Sequence, residues 1–522
     1  MTTDRSRSAA FFVGAGIFLS RIAGLVRQKV FAHYFGLSLS ADAFTAAFRI
    51  PNLLQNLFGE GVLSASFIPE YVGLLSKENR KDATRLAGAV IGALAVVAAI
   101  IVLIGVLLAP YLVGVIAPGF TGQRRDLTVQ LTQILFPGAG LLVFSAWCLG
   151  ILNSHRKFFI SYTAPVIWNV AMIGALVGFG SGTPLPRLAV IIAWASVVGS
   201  ALQFAVQLPM VFRLVPGLRP MLDFKSPSSR NVFRNFIPAF FGRGVVQISA
   251  FIDAFIASWL PAGAVAALAN SQTLYTLPVS LFGMAVSAAE LPVMSSAVGT
   301  PEEVASYLRG RLDGGLERIA FFIVPSAIAF LALGDVLAAI LFESGRFTRN
   351  DSIWVWQVLA GSTVGLLAST WGRLYSSTFY ALRDTRTPLK FAVVRVILTS
   401  VLGYGAALYL PRALGLDPKL GVAGLTATAG IAGWVEFYLL RRAMGQRIGP
   451  TRVAGTYTLK LWLAAAAAAG VAWGVKVGLG GQHTVVVAIL ILTTYGIAYL
   501  AITTLAGIKE ARAMTRRLLR RA

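Results

Sequence analysis

The stretch SRIAGLVRQKVFAHYFG, from Ser20 to Gly36, puts Arg21, Arg27 and Lys29 into a segment otherwise apolar enough to cross a membrane. A cation near the centre of a bilayer costs about 2.5–3.5 kcal/mol even on a lenient insertion scale, and it is kept where it faces water or a partner. Arg21 lies about 15 Å along its helix, too deep for its side chain to reach the membrane surface. Around that helix Arg21, Gly24 and Gln28 share a face, while Arg27 is turned by about 120° and Lys29 by about 80° the other way. So wide a polar sector predicts one wall of an aqueous cavity. Arg49, Gln55 and Glu60 extend it from the next apolar segment, and Arg243 and Asp253 hold the equivalent place in the second half of the chain.

Eight cations fall within the apolar segments (Arg21, Arg27, Lys29, Arg49, Arg243, Arg373, Arg395 and Lys476) against six acids (Asp42, Glu60, Glu70, Asp253, Glu290 and Glu436). Internal pairs, such as Arg21 or Arg27 with Asp42 or Glu60, would fix helices together but leave positive charge over. A cationic cavity suits an anionic ligand, and a guanidinium grips phosphate oxygens two at a time. Asp253 and Glu290 point to a second chemistry, because a carboxylate inside a span can take up a proton or cation and couple it to transport. A buried pair of Asp253 with Arg243 is the alternative.

Long apolar elements must position these residues. Of 522 residues, 57% are hydrophobic and 13% charged, with a mean hydropathy of +0.74; soluble domains are about 45–50% apolar. This is the composition of a polytopic membrane protein. At about 20 apolar residues per crossing, fourteen spans are expected, the second and eighth long and interrupted by Pro51, Pro69, Pro278 and Pro292. The net charge of +24 belongs to the loops. The tails and even-numbered loops carry 30 of the 45 Lys and Arg, the opposite loops only seven, Arg124 among them. By the positive-inside rule both termini are therefore expected in the cytoplasm.

The chain also repeats itself. LFGEGVLSASFIP (Leu57 to Pro69) recurs as LFGMAVSAAELP (Leu281 to Pro292), and LNSHRKFFISYTAP echoes LRDTRTPLKFAVV, at offsets of 224 and 230 residues. Six spans separate the copies, so the two halves share one orientation. The expected fold is all-α: an N-terminal lobe of helices 1–6 (residues 1–229) and a C-terminal lobe of helices 7–12 (230–445), around a central cationic cavity. Two further helices (446–508) and a basic tail (509–522) complete the chain. Facing lobes of this kind are a common frame for alternating access.

Other chemistries find little support. One cysteine, Cys148, permits no intramolecular disulfide, and three scattered histidines offer no metal-site spacing. No GxxxxGK[ST] loop is present to bind a nucleotide, so energy would come from membrane potential, an ion gradient or the substrate, with no cofactor expected. So few charges in so apolar a chain build no nucleic-acid surface. The first apolar run meets Arg21 without a small-residue cleavage site, which reads as an uncleaved first span, and the tail from Lys509 to Arg521 reads as an anchor on anionic lipid.

The opening run, followed by ADAFTAAFRIPNLLQNLFGEGVLSASFIPEY, resembles the first two helices of the MurJ (MviN) lipid II flippases. IAPGF at Ile116 to Phe120, LFESGRFT at Leu341 to Thr348 and FYALRDTRTP at Phe379 to Pro388 extend the resemblance over nearly the whole chain. The resemblance implies a flippase that carries lipid II, the undecaprenyl-pyrophosphate-linked peptidoglycan precursor, from the cytoplasmic to the outer leaflet of the bacterial inner membrane. It belongs to a superfamily shared with drug and polysaccharide exporters. It further implies that a cationic cavity takes the headgroup and that the last two helices form a groove for the lipid tail. Membrane lipids, and cell-wall synthesis proteins, would be its partners; membrane potential or a monovalent cation would drive it.

By the resemblance, Arg21 and Arg27 stand where the family has two first-helix arginines, and Asp42, Glu60 and Arg373 also fall on family positions. Gln55 and Thr273 replace further arginines, and Gln28 replaces an aspartate. The substrate-binding set expected is thus Arg21, Arg27, Arg49, Arg243, Gln55, Asp42, Glu60 and Arg373, with Arg243 making up for one lost cation. Three alternatives stay open: an exporter of another polyprenyl-linked glycan, a drug exporter, or a non-transporting scaffold for cell-wall enzymes. A membrane glycosyltransferase would need a large loop with a catalytic acid or base, and the loops are short.

Overall fold

A computed structural model describes residues 2–58, 60–451, 455–479 and 485–519, apart from the side chains of 2–14, 17, 50, 51, 55, 56, 58, 60, 61, 64, 65, 237–250 and 517–519. Its elements are helices, as hydrocarbon requires, because a helix satisfies its own backbone polar groups. One isolated antiparallel bridge joins Ser344 and Phe347. Two compact units emerge, Met1–Ala266 with Ser344–Phe347, and Ala267–Glu343 with Thr348–Ala522. The helix expected to open the second lobe thus clusters with the first unit.

The first unit holds α1 (Thr2–Phe35), α2 (Leu39–Phe58), α3 (Glu60–Ser76), α4 (Arg80–Leu107), α5 (Ala109–Ile116), α6 (Gly122–Ser154), α7 (Phe158–Phe179), α8 (Leu185–Leu214), α9 (Pro227–Ala257) and the start of α10 (Ala264–Pro278). Helix α6 is central, flanked by α2, α4 and α8, while α7 lies between α1 and α8, and α9 runs along α3. Two apolar cores form, one at each end of these helices. Phe31, Phe35, Phe44, Leu131, Met172 and Ile192 make the core where α1 ends; Phe67, Tyr71, Leu86, Trp147, Ile151 and Val211 make the other.

The second unit continues through a π-helical turn (Val279–Met284) into α11 (Ala285–Ser295), α12 (Pro301–Phe342), α13 (Arg349–Thr363), α14 (Leu366–Ala381), α15 (Arg386–Leu408) and α16 (Leu410–Ala413). It ends with α17 (Gly421–Ile448), α18 (Gly455–Gly478), α19 (Val485–Leu505) and α20 (Lys509–Leu519). Capping boxes at Thr300/Glu303 and Thr348/Asp351 start α12 and α13 by satisfying their first N–H groups. Pro325 lacks an N–H and so leaves the carbonyl of Phe321 without its helical donor. The Tyr499 hydroxyl donates to that carbonyl at 2.8 Å, and Tyr495 donates to the carbonyl of Pro325 at 2.7 Å, fixing α19 on α12.

Apolar side chains also cover the outside, as a membrane protein requires. Leu389, Val393, Ile397 and Val401 form an exposed stripe at helical spacing along α15. Among the described residues ten helices are long and apolar enough to cross a membrane, and the pair α13–α14, bent by 47°, makes an eleventh if counted as one span. The count of fourteen is not reached by that test; the other three expected spans coincide with α1, α2–α3 and α9, where Arg21, Arg27, Lys29, Arg49 and Asp253 reside.

Pro69 and Pro292 are carried inside α3 and α11; the second copy of LFG lies in the π turn, while Gly59 of the first copy lies outside the described residues. Pro278 immediately precedes that turn. The second repeat shares a helix ending. Arg156 and Arg383 both take left-handed backbone, with φ of 59° and 58°, each followed by an N–H that reaches back five residues, Lys157 to Leu152 and Asp384 to Phe379. This is the Schellman form of C-cap. It sets the register at 227 residues rather than 230.

Candidate functional site: a guanidinium-bearing face of the first unit

On α1, Arg21 is exposed, and a side-chain carbon added at Gly24 would meet nothing within 4 Å, so the face they share is open. Gln28 and Lys29 are half-buried beside it. Arg27 is held by α7. Its Nε donates to Oδ1 of Asn169 at 2.9 Å, and its guanidinium carbon lies 5.0 Å from the centre of the Trp168 ring. Arg49 on α2 is half-buried and within electrostatic range of Asp253 on α9. The side chains of Gln55, Glu60 and Arg243 lie outside the described residues.

Asp42 belongs to a different assembly. It is fully buried at the start of α2, where it pairs with Nη2 of Arg124 at 2.5 Å and accepts the backbone N–H groups of Gly263 (2.6 Å) and Ala266 (2.7 Å). Gly263 and Ala266 lie at the head of α10, whose unpaired N–H groups and dipole favour a carboxylate. Arg124 in turn stacks over Phe120, 3.7 Å from the ring centre, and reaches the carbonyl of Leu260 at 3.4 Å. Nearby, the Ser258 hydroxyl accepts the Gly119 N–H at 3.0 Å. Asp42 therefore ties α2, α6 and α10 together, with no surface left for a substrate. Arg124, counted above as a loop cation, is 8% exposed and carries the pairing expected of Arg21 or Arg27.

At the same end, a glycine turn closes α1. Gly36 takes a φ of 56°, and a side chain there would strike the carbonyl of Arg346 at 2.6 Å. The Arg346 N–H donates to the carbonyl of His33 at 2.8 Å. The LFESGRFT motif thus supplies both a turn laid against α1 and, in Thr348, the cap of α13.

Within the second unit, Arg373 is exposed on α14, and both it and Arg395 lie within electrostatic range of Tyr275. Arg395 pairs with Glu436 at 3.0 Å. Thr273 turns its hydroxyl back onto the carbonyl of Ala269 at 3.0 Å. Glu290 is 2% exposed, gripped by Arg311 at 2.7 Å and Arg318 at 2.6 Å. That double pair ties α11 to α12. Lys476 pairs with Asp335 at 2.8 Å, joined there by Arg349 at 2.5 Å. Outside the spans, the backbone N–H and the hydroxyl of Thr387, with Arg447 close by, hold the Asp384 carboxyl below its usual range. FYALRDTRTP is thereby a helix-capping motif. Of the α1 cations, Arg27 meets an amide and an indole, and Arg21 is exposed.

Comparison with known proteins agrees with the fold and the motifs. A family model described as "Lipid II flippase MurJ" matches residues 31–496. "Lipid II flippase MurJ" of Burkholderia cenocepacia is 33% identical over 436 residues, covering 82% of each chain. "Probable lipid II flippase MurJ" of Rhizobium tropici is 32% identical over 432 residues, 81% of this chain and 78% of its own. The solved "Lipid II flippase MurJ, inward closed conformation" shares the fold with a TM-score of 0.76 at 22% identity, covering 95% of this chain and 98% of that one. An inward-facing multidrug resistance MATE family transporter of the MOP superfamily is similar at a TM-score of 0.65 and 18% identity, over 82% and 95%.

Proposed function

Because the chain belongs to the lipid II flippase MurJ family, we propose that it moves lipid II from the cytoplasmic to the outer leaflet of the bacterial inner membrane by alternating access. It is a multi-pass membrane transporter, not a catalyst of bond-making, and both its termini face the cytoplasm in this reading. The observation that carries the mechanism is the pair of α1 arginines, Arg21 exposed and Arg27 held by the amide and indole of α7. Arg21 and Arg27 lie before the matched range of the family model, so their role stands on this geometry and on the motif around them. They receive the pyrophosphate, whose charge and paired oxygens suit guanidinium groups. Arg49 adds positive charge in the same unit, and the sequence offers Arg243, Arg373, Gln55 and Glu60 as further candidates for the headgroup. Asp253, beside Arg49, tunes that charge.

No atom of lipid II need be transformed; the protein lowers the cost of taking a polar headgroup through hydrocarbon by replacing its water with fixed cations. Membrane potential can bias the cycle, since one charge moved through the field is worth about 2.3 kcal/mol per 100 mV. The test is complementation of a flippase-depleted bacterium. The unmutated protein is expected to restore growth, and Arg21→Ala and Arg27→Ala to fail although inserted at normal levels. Growth with both substitutions would remove the reading.

A further inference from the structure

Arg27 does not merely sit in the membrane; it is aimed. Three observations specify how. Its Nε–H is taken by Oδ1 of Asn169, its guanidinium carbon lies over the Trp168 ring at 5.0 Å, and among the described residues its two terminal nitrogens have no hydrogen-bonding partner. A guanidinium has five N–H donors in a planar fork. Tying the Nε end leaves the two terminal groups in one fixed direction, the arrangement that meets a pair of phosphate oxygens.

Both partners are themselves fixed. Asn169 is 5% exposed and donates through Nδ2 to the carbonyl of Pro165 at 2.9 Å, so its amide has one orientation only: the oxygen must face Nε and the nitrogen must face the carbonyl. The Trp168 Nε1–H is shared between the carbonyl and hydroxyl oxygens of Ser196, both at 3.2 Å, and Phe48 stacks on the indole with centroids 5.7 Å apart. Consecutive residues of α7 thus set the two degrees of freedom of the guanidinium, its tilt and its rotation. An uncharged amide achieves this without neutralising the cation, which a carboxylate in the same place would do.

We infer that Asn169 and Trp168 are positioning residues for substrate recognition, which hold Arg27 so that its terminal nitrogens form a preset two-pronged clamp for a pyrophosphate-bearing lipid. The inference rests on the proposed function. It explains how one arginine remains an effective anion ligand where Gln55 and Thr273 supply no charge.

The test is equilibrium binding of lipid II to the full-length protein in nanodiscs, with melting temperature recorded for each variant. Asn169→Leu removes the acceptor while keeping the size, and is expected to weaken binding at least tenfold with little change in melting temperature. Arg27→Lys keeps the charge without the fork and is expected to weaken it similarly. Because Asn169 acts through Nε, adding Asn169→Leu to Arg27→Lys should change binding less than twofold. Asn169→Asp, which keeps the acceptor but cancels the charge, should also bind weakly. Wild-type affinity in Asn169→Leu, or losses that multiply in the double variant, would overturn the positioning role. Wild-type affinity in Arg27→Ala would overturn the proposed function itself, which keeps the two failures apart.

Discussion

Arg27 and Arg124 show how partners divide the work of two arginines in apolar surroundings. Arg27 meets an amide and an indole and keeps its charge available; Arg124 meets a fully buried carboxylate and is neutralised by it. Removing one member of a buried ion pair leaves the other unpaired, at a cost of about 3–5 kcal/mol. Asp42→Ala is therefore expected to lower thermal stability by about that much, with Asp42→Asn in between, because its one amide oxygen can still accept from Gly263 or from Ala266, which bond to different carboxylate oxygens. A melting series on purified protein checks this, and an unshifted transition in Asp42→Ala would contradict the assignment. The difference between the arginines is only half visible in the sequence. Arg27 stands out because it interrupts an apolar run, whereas Arg124 lies beside a loop and reads as an ordinary surface cation. Asn169 carries no signal at all, since one amide in an apolar helix has no spacing to betray its partner.

At the scale of elements, helix periodicity and the two motif repeats locate most of what is present, but not where helices give way. Proline suggests interruptions at Pro69 and Pro292, yet those residues stay helical, because a lost N–H bond can be made good by a neighbour. Pro325 shows the repair directly: Tyr499 supplies the donor that the proline lacks. Tyr499→Phe should thus cost about 1–3 kcal/mol, the usual price of an unsatisfied buried carbonyl. In a Pro325→Ala background the restored Ala N–H takes the Phe321 carbonyl, and the same tyrosine change should cost clearly less. Equal costs in the two backgrounds, measured by denaturation, would refute this docking of α19 on α12.

For the whole molecule, the fold class was legible from composition because a chain this apolar has few alternatives to a helical membrane protein. The cargo was not, since the same fold serves multidrug transporters, and function lies in a site rather than a scaffold. Motifs such as SRIAGLVRQKVFAHYFG decided between them. The compact units do not divide where the repeat does: α9 packs along α3, and bonds from Gly263 and Ala266 hold the head of α10 at Asp42. Such contacts between residues more than 200 positions apart leave no local trace. Translocation of fluorescent lipid II in proteoliposomes that hold wild type, Arg27→Ala, or the loop variant Arg412→Ala at equal density tests the role of the first helix most directly. Wild type and Arg412→Ala should transfer the lipid across the bilayer, and Arg27→Ala should remain at the rate of empty vesicles. Transfer by Arg27→Ala at the wild-type rate would contradict the claim that a guanidinium on the first helix carries the headgroup.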